Sequence, residues 1–241
     1  MNENLLVDFM LKTAKDYWDD LRKTWKNVNR KADETSVHDM RVASRRLGAA
    51  LLLLESAAHT DLLSEAPRRV KRLMKKLGPL RDAQVQISIV GTWKRRGNFE
   101  KFKSLLRRRE QKHRASVRQY LNARRREKIQ RALKDFEREA AKRLKDVPSE
   151  IVTSRIQNAI EVQRNEVKVA QDKLTRSNPQ SLHTLRRSAR RLRYSLEAAR
   201  MVMGAAPEAE LKHLRQVQTK LGDRRDRQLL NEELRKWRAQ Q

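Results

Sequence analysis

Two stretches of this chain are versions of each other. His38-Asp-Met-Arg41-Val-Ala-Ser-Arg45-Arg46-Leu47 returns 145 positions later as His183-Thr-Leu-Arg186-Arg-Ser-Ala-Arg190-Arg191-Leu192. Downstream, Lys76-Leu-Gly-Pro-Leu-Arg81-Asp82 returns 144 positions later as Lys220-Leu-Gly-Asp-Arg-Arg225-Asp226. Two blocks in the same order at nearly the same offset indicate an internal duplication, so one half's fold must also serve the other. The duplication divides the chain at 1–146 and 147–241, and residues 98–146 have no counterpart in the second copy.

The fold class follows from what the repeat is made of. Six glycines and five prolines in 241 residues, with frequent Leu, Ala, Arg, Lys and Glu, favour helices and leave no strand pattern. At about 100° per residue, Arg41 and Arg45 share a sector with His38, while Met40, Ala43, Leu47, Leu51 and Leu54 fall opposite. Such a helix has an apolar side for a core and a separate basic side for something else. The first helix is predicted over residues 4–28, with Leu6, Met10, Leu21 and Trp25 facing inward. Ser36 is placed as the N-cap of the second, which runs to Ala58.

A third helix starts near Pro67 on the stripe Val70, Leu73 and Leu77. Gly78 reads as its left-handed C-cap, and Pro79 as a bar to continuation, with a fourth helix from Arg81-Asp82. In the second copy Ile151, Ile156 and Ile160 open a helix, a break falls at Ser177, Asn178 or Pro179, and Ser181 caps the next. Gly204 and Pro207 then separate it from a helix with the stripe Leu214, Val217 and Leu221. Residues 98–146 read as one long helix or two shorter ones. Trp18, Trp25 and Trp93 read as core or bundle-interface residues.

Charge narrows the choice of partner. The chain carries 58 Lys and Arg against 30 Asp and Glu, a net +28, which attracts polyanions whatever the fold: nucleic acid, anionic lipid or inorganic polyphosphate. It has no cysteine, which excludes disulfides and thiolate metal sites. The opening apolar segment is broken by Asp8 and lacks a signal-peptide pattern, so a cytoplasmic protein is expected. The longest apolar run, residues 49–54, is far short of the ~20 residues of a membrane span. Membrane-surface binding would need an exposed apolar face beside the charge, and the leucine stripes are assigned to cores.

The histidines do not suggest metal or acid–base chemistry. Neither His38 nor His183 has an acidic or histidine partner three or four residues after it, and their arginine neighbours repel cations. No nucleophile or carboxylate pair stands at a telling spacing, so no catalytic residue is expected. Two readings stay open for each: a donor to phosphate oxygen, or an orienting residue between helices. Guanidinium groups bond phosphate oxygens in pairs, so the repeated arginines suggest an anion site. Asp82 and Asp226 read as structural partners of arginines. Glu55 and Glu197 read as surface groups, and Arg107–Arg109 and Arg124–Arg126 as solvated faces. Tyr194 lies within about 20° of His183 on the helical wheel, in reach of the same ligand.

The order H-x-x-R-x-x-x-R-R-L, K-L-G-x-x-R-D, then both again, resembles the CHAD family, named for its histidine-bearing all-helical domain. The resemblance spans nearly the whole chain. It implies two four-helix bundles related by a pseudo-twofold axis, with a basic central groove or channel that binds inorganic polyphosphate. It further implies a non-enzymatic protein without cofactor or metal, associated with polyphosphate granules. Carried over by position, the ligand-facing residues are His38, Arg41, Arg45, Arg46, Lys76 and Arg81 in the first copy. In the second they are His183, Arg186, Arg190, Arg193, Lys220 and Arg225, joined by Tyr194 from the wheel. Gly48 departs from the family pattern where Arg193 keeps it. The rival reading is weak, nonspecific nucleic-acid binding through counterion release. Eleven aromatics, of which only Tyr194 falls on a basic face, offer little for stacking bases, and no helix-turn-helix reader is present.

Overall fold

Val7, Met10, Ala14, Trp18, Leu21, Trp25 and Val28 recur at steps of three and four, and all are buried. They form the inward stripe of α1 (Leu5–Arg30), the first of eight helices in the computed structural model, which describes residues 5–60, 65–92, 99–175, 179–200 and 208–239. The others are α2 (Glu34–Ala58), α3 (Glu65–Gly91), α4 (Phe99–Tyr120), α5 (Ala123–Leu144), α6 (Ser149–Asp172), α7 (Pro179–Ala198) and α8 (Glu208–Arg238). There is no strand among the described residues. Nor is any described helix long and apolar enough to cross a membrane.

The duplication appears as α1–α2–α3 repeated in α6–α7–α8. Equivalent helices also meet each other, α2 against α7 and α3 against α8, as a twofold relation between the copies requires. α2 is the centre of the molecule, touching α1 and α3 of its own copy and α6 and α7 of the other. Its run of Ala49, Ala50, Leu51, Leu53 and Leu54 is buried because neighbours cover more than one face, and one continuous core joins both halves. Residues 98–146 form two helices. Ile129, Leu133, Phe136, Ala140 and Leu144 of α5 join the same core, and α5 lies against α3, α2 and α1. The turn before α5 is tied to α1, where the Trp25 indole N–H and the Asn29 amide both donate to the Leu121 carbonyl, at 3.2 and 3.1 Å.

Several local expectations are corrected. The N-cap of α2 is Asp33, whose carboxylate accepts from the Ser36 backbone N–H at 2.8 Å; Ser36 lies inside the helix and is buried. Ser181 likewise sits in the first turn of α7, bonded to the backbone of Thr175. α3 does not end at Gly78: it runs through Gly78-Pro79 to Gly91, and Gly78 has no left-handed φ. A mid-helix proline costs about 3 kcal/mol. Leu77 and Leu80, both fully buried on either side of the break, supply the offset. A glycine before the proline also removes the Cβ that would clash with the ring. α8 passes unbroken through Gly222 in the same way.

Ile151 is exposed at 45% and Val152 takes its buried place ahead of Ile156 and Ile160. In α8 Leu214 is buried, but Val217 and Leu221 are only partly so. Trp18 and Trp25 are core residues, whereas Trp93, Ser177, Asn178, Gly204 and Pro207 lie outside the described residues.

Leu47 is fully buried in the central helix, and Leu52 is 38% exposed one turn later. Leu47→Ala is expected to lower stability by about 2–5 kcal/mol in urea denaturation, and Leu52→Ala by less than about 1.

Candidate functional site

The basic face of α2 is built by the spacing that builds its apolar one. Because Met40, Ala43, Leu47 and Leu51 turn inward, Arg41 and Arg45 emerge together on the opposite side, one turn apart. Arg41 does not extend into solvent. It lies across α3, where its Nη1 donates to the Met74 carbonyl at 3.2 Å and would stand 3.7 Å from a Cβ on Gly78. In the second copy Arg186 lies over Gly222, with Nη2 and Nε at 3.8 and 3.9 Å from the position of a Cβ. The glycine of each K-L-G block is therefore the bed on which the first arginine of each histidine block rests.

The last arginine of each block is paired just as regularly. Arg81 is the charge that most affects His38, and Arg225 the charge that most affects His183. Both imidazoles are held below their ordinary pKa, first by partial desolvation and then by these arginines. Arg81 also forms an ion pair with Glu34 at 2.8 Å, so it is anchored to the start of α2.

Contact between α2 and α7 brings the two copies' arginines together. Arg41 lies in the fields of Arg45, Arg81 and Arg186, and Arg190 in those of Arg45, Arg186 and Arg41. Burial first, and like-charge repulsion second, bring the pKa of Arg41 to about 10 and that of Arg190 to about 9. Both remain cationic at neutral pH. The carboxylates beside them are Asp82, which acts on Arg41, and Asp226, which is stabilised by Arg186. The two aspartates also lie in each other's field, and burial pushes Asp226 upward. Each lies in the field of an arginine, and Asp82 lies inside α3 and not at a helix start.

Five expected site residues stand elsewhere or apart. Arg46 and Arg193 both lie on Glu197, at 3.9 and 3.0 Å, with Arg215 at 4.0 Å. Glu197 is only 15% exposed, so it is the hub of an ion network and not the solvated acid the sequence suggested. Arg46 and Arg193, expected to face a ligand, thus lie beside a carboxylate here. Tyr194 is buried and stacked under Arg193 at 4.2 Å, which removes it from the surface, although it lies close enough to Arg190 to affect it. Lys220 is exposed on α8. Lys76 reaches toward α4, its Nζ 5.8 Å from the Tyr120 ring.

The repeat comparison also missed a residue. His113, on the unrepeated α4, shares its surroundings with Lys76 and Asp82. Its position was invisible in the repeat because α4 has no partner block. Among the described residues, no group of three or more His, Cys, Asp or Glu could hold a metal ion.

A family model, the CHAD domain, matches residues 13–235. The chain belongs to the CHAD family. The crystal structure of the CHAD domain from the plant Ricinus communis superposes with a TM-score of 0.80 at 21% identity, covering 98% of this chain and 80% of that one. That likeness establishes the shared fold, and the all-helical duplicated architecture is that of CHAD domains. No curated protein matches the sequence.

The glycine bed can be tested without touching any charged group. Gly222→Ala adds a methyl at ordinary contact distance from Arg186 and removes a helix-interior glycine, so thermal denaturation should show about 0.5–1 kcal/mol of added stability. Gly222→Leu should instead displace Arg186 and lower the melting temperature, because the longer side chain overpacks the contact.

Proposed function

We propose that this CHAD protein is a non-enzymatic binder of long-chain inorganic polyphosphate, held in a basic groove along the seam between the two copies. The observation that carries the reading is the gathering of Arg41, Arg45, Arg186 and Arg190 from two helices into one partly buried cluster. Like charges held this close raise one another's free energy. The nearby Asp82 and Asp226, with Glu34 on Arg81, are too few to neutralise them together with Arg81 and Arg225. A polyanion that threads between them relieves that repulsion at every contact. A cell that stores polyphosphate in granules would carry the protein on them.

Polyphosphate fits this chemistry better than nucleic acid does. It offers closely spaced charges and oxygen acceptors, with no bases to read or stack. Trp18, Trp25, Phe102, Phe136 and Tyr194 are buried, so these rings cannot serve as stacking platforms. Nucleic acid remains the rival through charge alone, with weak, salt-sensitive affinity.

Arg41→Ala with Arg186→Ala should weaken polyphosphate binding by about 100-fold or more, the scale of two lost charge-assisted contacts. Arg124→Ala with Lys128→Ala, on the exposed face of α5, removes the same charge and should change it by less than about threefold. Equal losses would overturn the site. At near-physiological salt, polyphosphate should also displace duplex DNA at matched total phosphate; displacement of polyphosphate by DNA would favour the rival.

The histidines give the reading a pH signature. His38 faces Arg81, Asp39, Arg45 and Arg41, and His183 faces Arg225, Arg186, Arg187 and Arg190, and both are depressed below 6.5 in the free protein. The unfolded chain then binds protons first as pH falls, so their contribution to stability is present above 6.5 and is lost on acidification. Bound phosphate favours the imidazolium and reverses the sign. The increase in Tm caused by polyphosphate should therefore be larger at about pH 5.5 than at about pH 7.5.

A further inference from the structure

α4 is antiparallel to α3, and the pairings along it fix the register. The Lys76 ammonium stands 5.8 Å from the Tyr120 ring, the Gln84 amide donates to Glu110 at 3.4 Å, and Val90 packs with Phe102. Residues of α4 that share the face of His113 recur at three and four: Arg109, His113, Ser116 and Tyr120. Each can donate a hydrogen bond. Arg109 is already ion-paired with Glu233 near the end of α8, which marks where the strip closes. At its other end the Arg125 guanidinium of α5 lies 3.9 Å from the Tyr120 ring centroid, so the ring has a cation at 3.9 Å and another, Lys76, at 5.8 Å.

His113 is partly buried, and the charges around it are Lys112, Arg109 and Lys76, with Asp82 opposing. Asp82 and Lys76 belong to the same stretch of α3 that carries Arg81 and Gly78, so this strip begins where the arginine cluster ends. The corresponding stretch of α8 differs. Lys220, Asp223, Arg224 and Arg227 there are exposed.

We propose that α4 extends the anion site on the first copy's side only, through His113, Ser116 and Tyr120 with Lys76 and Arg125, so that a bound polyphosphate chain has a longer, one-sided footprint. From His113 to Tyr120 the strip adds about 10 Å along the helix. It contributes donors from three residue types and two cations, and the repeat-related arginines contribute none of it. A phosphate polymer long enough to fill the central cluster continues along α4, while a short one stays within the arginines. The inference rests on the polyphosphate reading and adds to it a length preference and a direction.

The test is titration of the full chain with tripolyphosphate and with long-chain polyphosphate, at one pH and salt concentration. In His113→Ala with Arg125→Ala, the ratio of long-chain to short-chain affinity should fall about tenfold, the scale of one charge-assisted contact. In Arg41→Ala with Arg186→Ala both affinities should fall while that ratio is kept. Ser116→Asp, which places in the strip a charge of the same sign as the polymer, should also lower the ratio. If wild type binds polyphosphate but the ratio is unchanged in both strip variants, the extension is refuted and the central site stands. If wild type binds neither polymer, the functional reading itself fails.

Discussion

Repulsion among guanidiniums at the seam between α2 and α7 is what the rest of the molecule has to hold in check. Arg41, Arg45, Arg186 and Arg190 would separate if their helices were free to move apart. What prevents it is the apolar side of the same helices. Leu47, Leu51 and Leu54 on α2, and Leu185, Ala189, Leu192 and Leu196 on α7, enter one core shared by both copies. A core of that extent supplies stabilisation on the order of tens of kcal/mol before conformational entropy is subtracted, against which a few repelling pairs are minor. The two sides of each helix are thus coupled: the leucines fix the spacing at which the arginines must face one another.

Duplication supplies the cluster, and divergence after it decides which cations stay available. Arg46 and Arg191 are equivalent by position, yet Arg46 approaches Glu197 while Arg191 bonds Glu166 on α6 at 3.1 and 3.2 Å. The reason lies at one pair of positions. Glu197 of the second copy corresponds to Leu52 of the first, so only one of the two related junctions has an acid to offer. Glu197 then gathers Arg193 and Arg215 as well, and its partial burial makes that network a fixed part of the α2–α7–α8 junction. Arginines with a carboxylate in the free protein are poor candidates for ligand capture, because the ligand must first displace an existing partner.

Much of this was legible in the chain itself. Helical periodicity named Met40, Ala43, Leu47, Leu51 and Leu54 correctly, and the repeat offset paired α2 with α7 and α3 with α8 before any coordinates. What the sequence could not convey were effects that depend on neighbours. Gly78-Pro79 has the local chemistry of a helix end, but burial of Leu77 and Leu80 outweighs it. Ser36 is a good cap in isolation and was displaced by Asp33, three positions earlier, while Ser181 lies inside the first turn of its helix. Glu197 looked solvated because its three arginine partners are four residues away, eighteen residues away and in the other copy. His113 carried no signal at all, since a repeat comparison is blind to a helix that occurs once.

The same reasoning separates the charge at the seam from the charge elsewhere on the chain. Most of the charge in this chain is ordinary: Lys128, Arg131 and Arg138 on α5 are exposed and dispersed, and water screens them at little cost. The seam differs because its cations are partly desolvated and face one another, a condition that weakens the folded state unless something negative arrives. The two glycines bear on the same place, since Gly222 is buried within a helix where alanine is intrinsically better, and it lies directly under Arg186. Backbone and charge thus both give up some stability at the same place, and this is what supports the proposal of a polyanion there.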